Sequence, residues 1–273
     1  MRRKSLTILR PEPLSHRGIT LVELVVGFSV FTLLMIVLAA ALTRSQEVWR
    51  RANASNSSQV ELRKAFWALD RDLKETTFET VRATTGPVSL TGFDGDAVWF
   101  LSAQDPTTGE FLRTDDGHPL WQRNILYYAV VPDQHRQLHG FDCAGGADGD
   151  GYETFCPHKV LLRKVIDNPP GAAGPVVGSS DQELLLDVSP YLTRPQGYAP
   201  STGEPGLESV TIAAKNLIEF RASLEPNPGW NGEVSITLSA ARIEEASRLI
   251  RVGSEPLDSF AQTFSFSLFP PLK

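Results

Sequence analysis

The chain has 273 residues, 41% hydrophobic and 21% charged, with 26 Lys+Arg against 32 Asp+Glu and a formal net charge of -6. That balance excludes a disordered or collagen-like chain and supplies a sizeable core, in one or two domains at roughly 150 residues each. A mildly acidic total gives no electrostatic reason to bind nucleic acid. The charge is unevenly placed: residues 1–18 carry Arg2, Arg3, Lys4, Arg10 and Arg17 against Glu12 alone, a net +4 that leaves -10 for the remainder.

Behind this basic tip runs Ile19 to Leu42, 24 residues whose only ionisable member is Glu23 and whose only hydroxyls are Thr20, Ser29 and Thr32. A helix of about 20 apolar residues spans a bilayer. The Lys/Arg excess on its N-terminal side keeps residues 1–18 in the cytoplasm and sends the acidic bulk across. Three readings compete. A secretory signal has a shorter apolar run ending at small residues, for which Ala39, Ala40 and Ala41 are the only local offer. A plain anchor explains length and flanking charge but leaves a carboxylate at the fifth position of the run. An acid there costs about 2.5–3.5 kcal/mol on insertion scales and marks a functional site with a cationic partner.

The third reading comes from the string Arg17-Gly18-Ile19-Thr20-Leu21-Val22-Glu23-Leu24-Val25-Val26. It resembles the N-terminus of type IV prepilins and type II secretion pseudopilins: Gly, a hydrophobic residue, Ser/Thr, Leu, an aliphatic residue, then Glu, opening a long apolar helix. The resemblance implies that a membrane-embedded prepilin peptidase cuts between Gly18 and Ile19 and that the new amine of Ile19 is N-methylated. It also implies that Glu23 pairs with the N-terminal amine of a neighbouring subunit and sets filament register. A carboxylate and an ammonium in a low-dielectric bundle offset each other's desolvation. Ile19 in place of the commoner Phe and a leader of 18 residues depart from the usual pattern without breaking it.

After the span, Thr43 to Thr80 contains no Gly or Pro, and Leu62, Phe66, Leu69 and Leu73 recur at helical spacing. The helix is therefore expected to continue to about Thr80, roughly 90 Å from Ile19 at 1.5 Å per residue, with Arg63, Lys64, Asp70, Arg71, Asp72, Lys74 and Glu75 mostly on its remaining, outer surface. Asn53 to Ser58 is rich in poor helix formers and reads as a flexible or locally melted joint. This divides the chain into a cytoplasmic leader (1–18), a membrane or filament-core helix (19–42), its amphipathic continuation (43–80) and a β-rich periplasmic head (81–273).

Gly86-Pro87 ends the helical region. Ala97–Ser102, Asn124–Val131, Lys159–Ile166, Leu184–Val188, Asn216–Leu224, Glu233–Ile243 and Thr263–Phe269 read as strands by their aromatic, β-branched and leucine content. Val234, Ile236 and Leu238 alternate with Ser235, Thr237 and Ser239, and Phe264, Phe266 and Leu268 with Ser265, Ser267 and Phe269, so these strands have one dry face and one wetter face. Asp167 to Asp181 and Pro195 to Ser209, rich in Pro, Gly and Ser, read as mobile loops. With no helices between strands, the expected class is α+β: a pilin-like long N-terminal helix packed against a head of antiparallel β-sheets.

Within the superfamily, the succession Arg71-Asp72-Leu73 closing the helix, Tyr127-Tyr128 in a strand, Leu162-Arg163 in a strand and Phe220-Arg221 resembles the J-type minor pseudopilin. That implies a non-enzymatic subunit of the pseudopilus tip. Its partners would be the prepilin peptidase, I-type and K-type minor pseudopilins, the major pseudopilin and the inner-membrane assembly platform, with the secretin or secreted substrate as further contacts. A minor pilin of a type IV pilus or DNA-uptake apparatus would share the same N-terminal chemistry, and only then would nucleic acid be a partner. A membrane-tethered enzyme and a binding module using Trp99, Trp121 and Trp230 stand as readings from other classes.

Cys143 and Cys156 follow the span into a compartment that permits disulfides, where their 14-residue loop would add about 3 kcal/mol in the chain-entropy model. Inside it, Asp148, Asp150 and Glu153 offer oxygens to Ca²⁺, but Tyr152 stands where a calcium loop needs its third oxygen ligand, and a solvated turn is the ordinary alternative. No other cofactor is expected. His118, His135, His139 and His158 form no HExxH, and no P-loop, G-x-S-x-G or G-x-G-x-x-G string occurs.

Overall fold

The computed structural model describes residues 19–85, 96–105, 107–139, 158–168, 182–226, 232–240 and 262–271. The chain forms two compact units, residues 1–50 and 51–273. Helix α1, Leu21–Leu73, begins in the first and ends in the second.

In the first unit every residue from Ile19 to Arg50 is exposed, although the apolar stretch has a mean hydropathy of 2.6. A surface of this kind is stable only in lipid or against other protein. Its hydroxyls are satisfied within the helix: Ser29 donates to the Val25 carbonyl and Thr32 to that of Phe28, both at 2.8 Å, and Thr43 bonds the carbonyls of Ala39 and Ala40. Such back-bonding removes the penalty of carrying a hydroxyl through hydrocarbon.

In the second unit α1 lies on an antiparallel sheet of seven strands in sequential order: β1 Arg82–Thr85, β2 Asp96–Ser102, β3 Arg123–Val130, β4 Lys159–Ile166, β5 Leu207–Glu225, β6 Glu233–Ala240 and β7 Gln262–Leu268. A short helix α2, His135–His139, follows β3. The stripe of α1 lies where its spacing puts it, with Leu62, Ala65, Leu69 and Leu73 buried against Phe100, Tyr127, Leu161, Phe220 and Ile236. Phe66 meets Phe264 and Phe266 of β7 edge-on at 5.6 and 4.8 Å.

The structure corrects several expectations. Asn53 to Ser58 is unbroken helix: Ala54 and Ser58 are buried, and the Ser58 hydroxyl donates to the Ala54 carbonyl at 3.1 Å, so packing supplies what propensity lacks. The helix stops at Leu73 rather than near Thr80. Beyond it Thr76 and Thr77, β-branched and buried, lead into a 3-10 turn at Phe78–Thr80. Among the described residues the strands form one continuous sheet in place of several.

The central strands β2, β3 and β4 are buried on both faces, which explains their unbroken apolar runs. The second face holds Trp99, Leu126, Tyr128, Val160 and Leu162 under Leu185, Val188, Tyr191 and Leu192. Residues Leu184–Val188 are thus not a strand but an extended cover. Asn124 holds it from β3: its Oδ1 accepts the Leu185 amide at 3.0 Å and its Nδ2 donates to the Glu183 carbonyl at 2.9 Å, while Trp99 Nε1 donates to the Leu185 carbonyl at 2.9 Å. Asn124→Ala is expected to destabilise the head by about 1–3 kcal/mol, the cost of stranding a buried amide. Loss of hydrogen-exchange protection at Leu185 checks this, and unchanged protection rejects the bracket.

Strand β5 is twice as long as the sequence suggests. It pairs with β4 from Leu207 and with β6 up to Glu225, and Asn216, at φ 58°, marks the irregularity where it changes partner. Leu207 to Ser209, expected in a loop, belong to this strand. Gly232 sits under the Phe78 ring, where a Cβ would fall 2.2 Å from a ring carbon. Gly232→Ala should therefore cost about 1–3 kcal/mol by overpacking, read as a lowered denaturation midpoint; a wild-type midpoint would show that the Phe78 ring swings clear.

Candidate functional site

The N-terminal site is built by the first turn of α1. Thr20 is the residue before Leu21, and the first intrahelical bond runs from the Leu24 amide to the Thr20 carbonyl at 3.1 Å. The Thr20 hydroxyl accepts the Glu23 amide at 3.3 Å, while the Thr20 amide and hydroxyl both donate to Glu23 Oε2 at 2.9 Å. This is a reciprocal capping box, Thr-Leu-Val-Glu, which satisfies helix-end donors that lipid could not. The T-x-x-E signal stands in the sequence, on the same acid that the resemblance pairs with the amine of a neighbouring subunit. Ile19 and Glu23 are thus placed together at the start of the apolar helix; Gly18 lies outside the described residues.

A second constellation was not foreseen. Asp72, assigned by sequence to the outer surface of the helix, is 2% exposed. Its carboxylate accepts the Tyr127 hydroxyl at 2.7 Å, Arg71 Nε at 2.8 Å and Arg163 Nε. Burial, then the charge of Asp72, holds the Tyr127 phenol well above its usual range, so it stays a neutral donor. Asp72 likewise raises the Arg163 and Arg71 guanidiniums, on Arg163 against the opposing effect of burial. Asp70 is also buried and is bonded by Lys74 at 2.7 Å. The Glu75 carboxyl is raised by burial and by Asp72. A cleft of about 450 Å³ opens beside this cluster, lined by Arg71, Arg123, Arg163, Gln104 and Glu208. Its cations are met by carboxylates: Arg123 pairs with Glu208, and Arg163 with Asp72. The arrangement clamps the end of α1 to β3 and β4.

On the opposite face, Lys164 is fully buried and donates to both Glu204 oxygens and the Tyr191 carbonyl at 2.6 Å and to Thr193 Oγ1 at 3.0 Å. Burial lowers its ammonium and Glu204 works against that shift. The bond ties residues 191–204 to β4.

Of the other sequence candidates, Trp99 belongs to the core and offers no recognition surface, and Trp121 is half-buried. His118 is exposed, whereas His135 and His158 are brought together. Trp230, Cys143, Cys156, Asp148, Asp150, Glu153 and most of the loop 167–181 lie outside the described residues, as does the His139 side chain. No three of the described His, Cys, Asp and Glu residues group as a metal site. No family model, no curated protein and no solved structure matches the chain.

Proposed function

We propose that the chain is a minor pseudopilin of J type, a structural subunit of a secretion pseudopilus. The observation that carries this reading is the string Arg17 to Val26 at the head of a fully exposed apolar helix. The precursor inserts with residues 1–18 in the cytoplasm, is cut between Gly18 and Ile19, is methylated on Ile19, and is drawn into a filament by packing of residues 19–42. The Thr20–Glu23 cap survives that cut, since every atom of it lies after the scissile bond. Glu23 then also faces the new ammonium of a neighbour, and the pair neutralises two charges that lipid would otherwise disfavour. The J-type assignment gains support from the buried clamp: the Asp of Arg71-Asp72-Leu73, the first Tyr of Tyr127-Tyr128 and the Arg of Leu162-Arg163 meet at one carboxylate. Arg221, in the fourth piece, stays at the surface beside Glu219.

In this reading the protein does no chemistry of its own. Its partners are the prepilin peptidase, I-type and K-type minor pseudopilins, the major pseudopilin and the inner-membrane platform. Intact-mass and N-terminal peptide mass spectrometry of the protein from native membranes tests the reading. A chain starting at N-methyl-Ile19 is expected, with unprocessed precursor accumulating in Gly18→Ala. An uncut N-terminus, or a cut near Ala41, would leave an anchored or secreted protein in place of a filament subunit.

A further inference from the structure

Asp72 holds its two arginines by one nitrogen each: Arg71 Nε donates to Oδ1 at 2.8 Å and Arg163 Nε to Oδ2. A guanidinium carries its N–H donors in a planar fork, and the terminal nitrogens of both side chains have no hydrogen-bond partner among the described residues. The buried side-chain atoms left without a partner there are Glu75 Oε2 and Thr77 Oγ1, so the terminal nitrogens of Arg163 reach solvent. The opening that Arg71 and Arg163 both line is the cleft of about 450 Å³. Because both Nε atoms sit on one carboxylate, the two forks are neighbours, and the charge of Arg71 opposes that of Arg163. Two guanidiniums on a single carboxylate leave a positive charge over, since Tyr127 stays neutral. The nearby charges cancel in pairs, Arg123 with Glu208 and Lys74 with Asp70. Of the remaining acids, Asp105 turns Oδ1 to the amides of Thr107 and Thr108 at 2.7 and 2.8 Å. Glu75 receives Gln104 Nε2 at 3.3 Å on one oxygen and nothing on the other, an arrangement that favours its neutral, protonated form.

We propose that this cleft is a docking site for an acidic segment of a partner protein, one carboxylate of which is held by the terminal nitrogens of Arg71 and Arg163. Arginine forks match the two oxygens of a carboxylate and hold it by paired, charge-assisted hydrogen bonds. The rest of the lining suits a peptide. Ile125 and Val165 give the methylenes of a Glu side chain an apolar wall. Gln104 spends Nε2 on Glu75 and on the Gly109 carbonyl at 3.0 Å, which leaves Oε1 to accept a backbone amide. The volume lies in the range of ligand pockets, about 300–1,000 Å³, and is more than a lone inorganic anion fills. Asp72 thereby has a second effect besides clamping the helix: it fixes both forks in place before the partner arrives, which lowers the ordering cost of binding. The site uses no residue from Gly18 to Glu23 and is independent of the filament reading.

The test titrates the full chain in detergent, at fixed ionic strength, with a fluorescent Gly-Glu-Gly-Glu-Gly peptide, its Gln counterpart and inorganic phosphate. One Glu peptide per chain is expected, with the Gln peptide weaker by about tenfold or more. Arg71→Lys keeps the charge and loses the fork, so affinity should fall about tenfold. Its denaturation midpoint should stay near wild type, because Arg71 is more than half exposed. Should Arg163→Met fail to fold, phenylglyoxal mapping of the unaltered chain gives a separate readout, in which the Glu peptide protects Arg71 and the Gln peptide does not. Absence of binding by the Glu peptide, equal binding of the two peptides, undiminished affinity in Arg71→Lys, unprotected Arg71, or displacement of the peptide by phosphate at equal concentration each overturns the proposal.

Discussion

Asp72→Ala is expected to lower the stability of the head by about 3–5 kcal/mol, the cost of breaking a buried ion pair from one side. The cost falls mainly on Arg163, whose side chain is only 17% exposed and would keep its charge without a counter-ion. Tyr127 would lose its acceptor in a fully buried position, whereas Arg71, more than half exposed, would turn to water at little expense. Asp72→Asn should be milder, since an amide oxygen still accepts from Tyr127 but cannot neutralise Arg163. Replacing both ends, Asp72→Leu with Arg163→Met, should recover much of the loss, because apolar pairs of similar volume often substitute for buried ion pairs. Denaturant midpoints of the full chain in detergent measure all three. Equal midpoints for Asp72→Ala and wild type would show that water reaches Arg163 and that no clamp exists.

The second large effect is expected at Glu23, where the observed cap and the proposed pairing with a neighbour fall on one carboxylate. Glu23→Leu removes both the cap on Thr20 and the negative charge. Glu23→Gln keeps an oxygen for the Thr20 amide and removes only the charge. If the charge pairs with a neighbour's amine, both variants should be cleaved after Gly18 and both should be lost from the assembled filament fraction. Incorporation of Glu23→Gln at wild-type level, with Glu23→Leu excluded, would assign the residue to capping alone. Incorporation of both would remove Glu23 from assembly altogether.

The parts of the fold legible in the sequence are those where one physical signal acts alone. In β6 and β7 one face is wet, so Val234, Ile236 and Leu238 betray the inward side; in the structure all three are buried, and the opposing hydroxyls pair across strands, Thr237 with Ser265 at 3.0 Å and Ser239 with Thr263 at 2.9 Å. The stripe from Leu62 to Leu73 was legible for the same reason at helical period. Leu184 to Val188 misled because it is apolar and extended yet takes its hydrogen bonds from Asn124 and Trp99, side chains about 60 and 86 positions away. The first half of β5 stayed hidden behind the Pro/Gly/Ser-rich segment that precedes it. Asp72 sits in a run of charges that a helix wheel assigns to solvent. Only the shape of the sheet beneath shows that Asp72, and Asp70 with it, is buried. The capping box, by contrast, was fully written in Thr20-Leu21-Val22-Glu23.

The sequential strand order bears on how the head is made. Each strand pairs with its neighbours in the chain, so every ladder closes a local loop and the topology favours rapid zippering over a slow search for distant partners. The exception is the far edge: β7 supplies Phe264 and Phe266 to Phe66, and Gln262 bonds Ser55 across 207 positions. If the chain crosses a membrane in order from the end of its N-terminal span, the helix that opens the head arrives before everything that covers it. Its Phe66 side must wait for the last strand, which gives a holding factor a defined window and gives truncations near the C-terminus a defined lesion: an intact six-strand ladder with the aromatic flank of its helix left open.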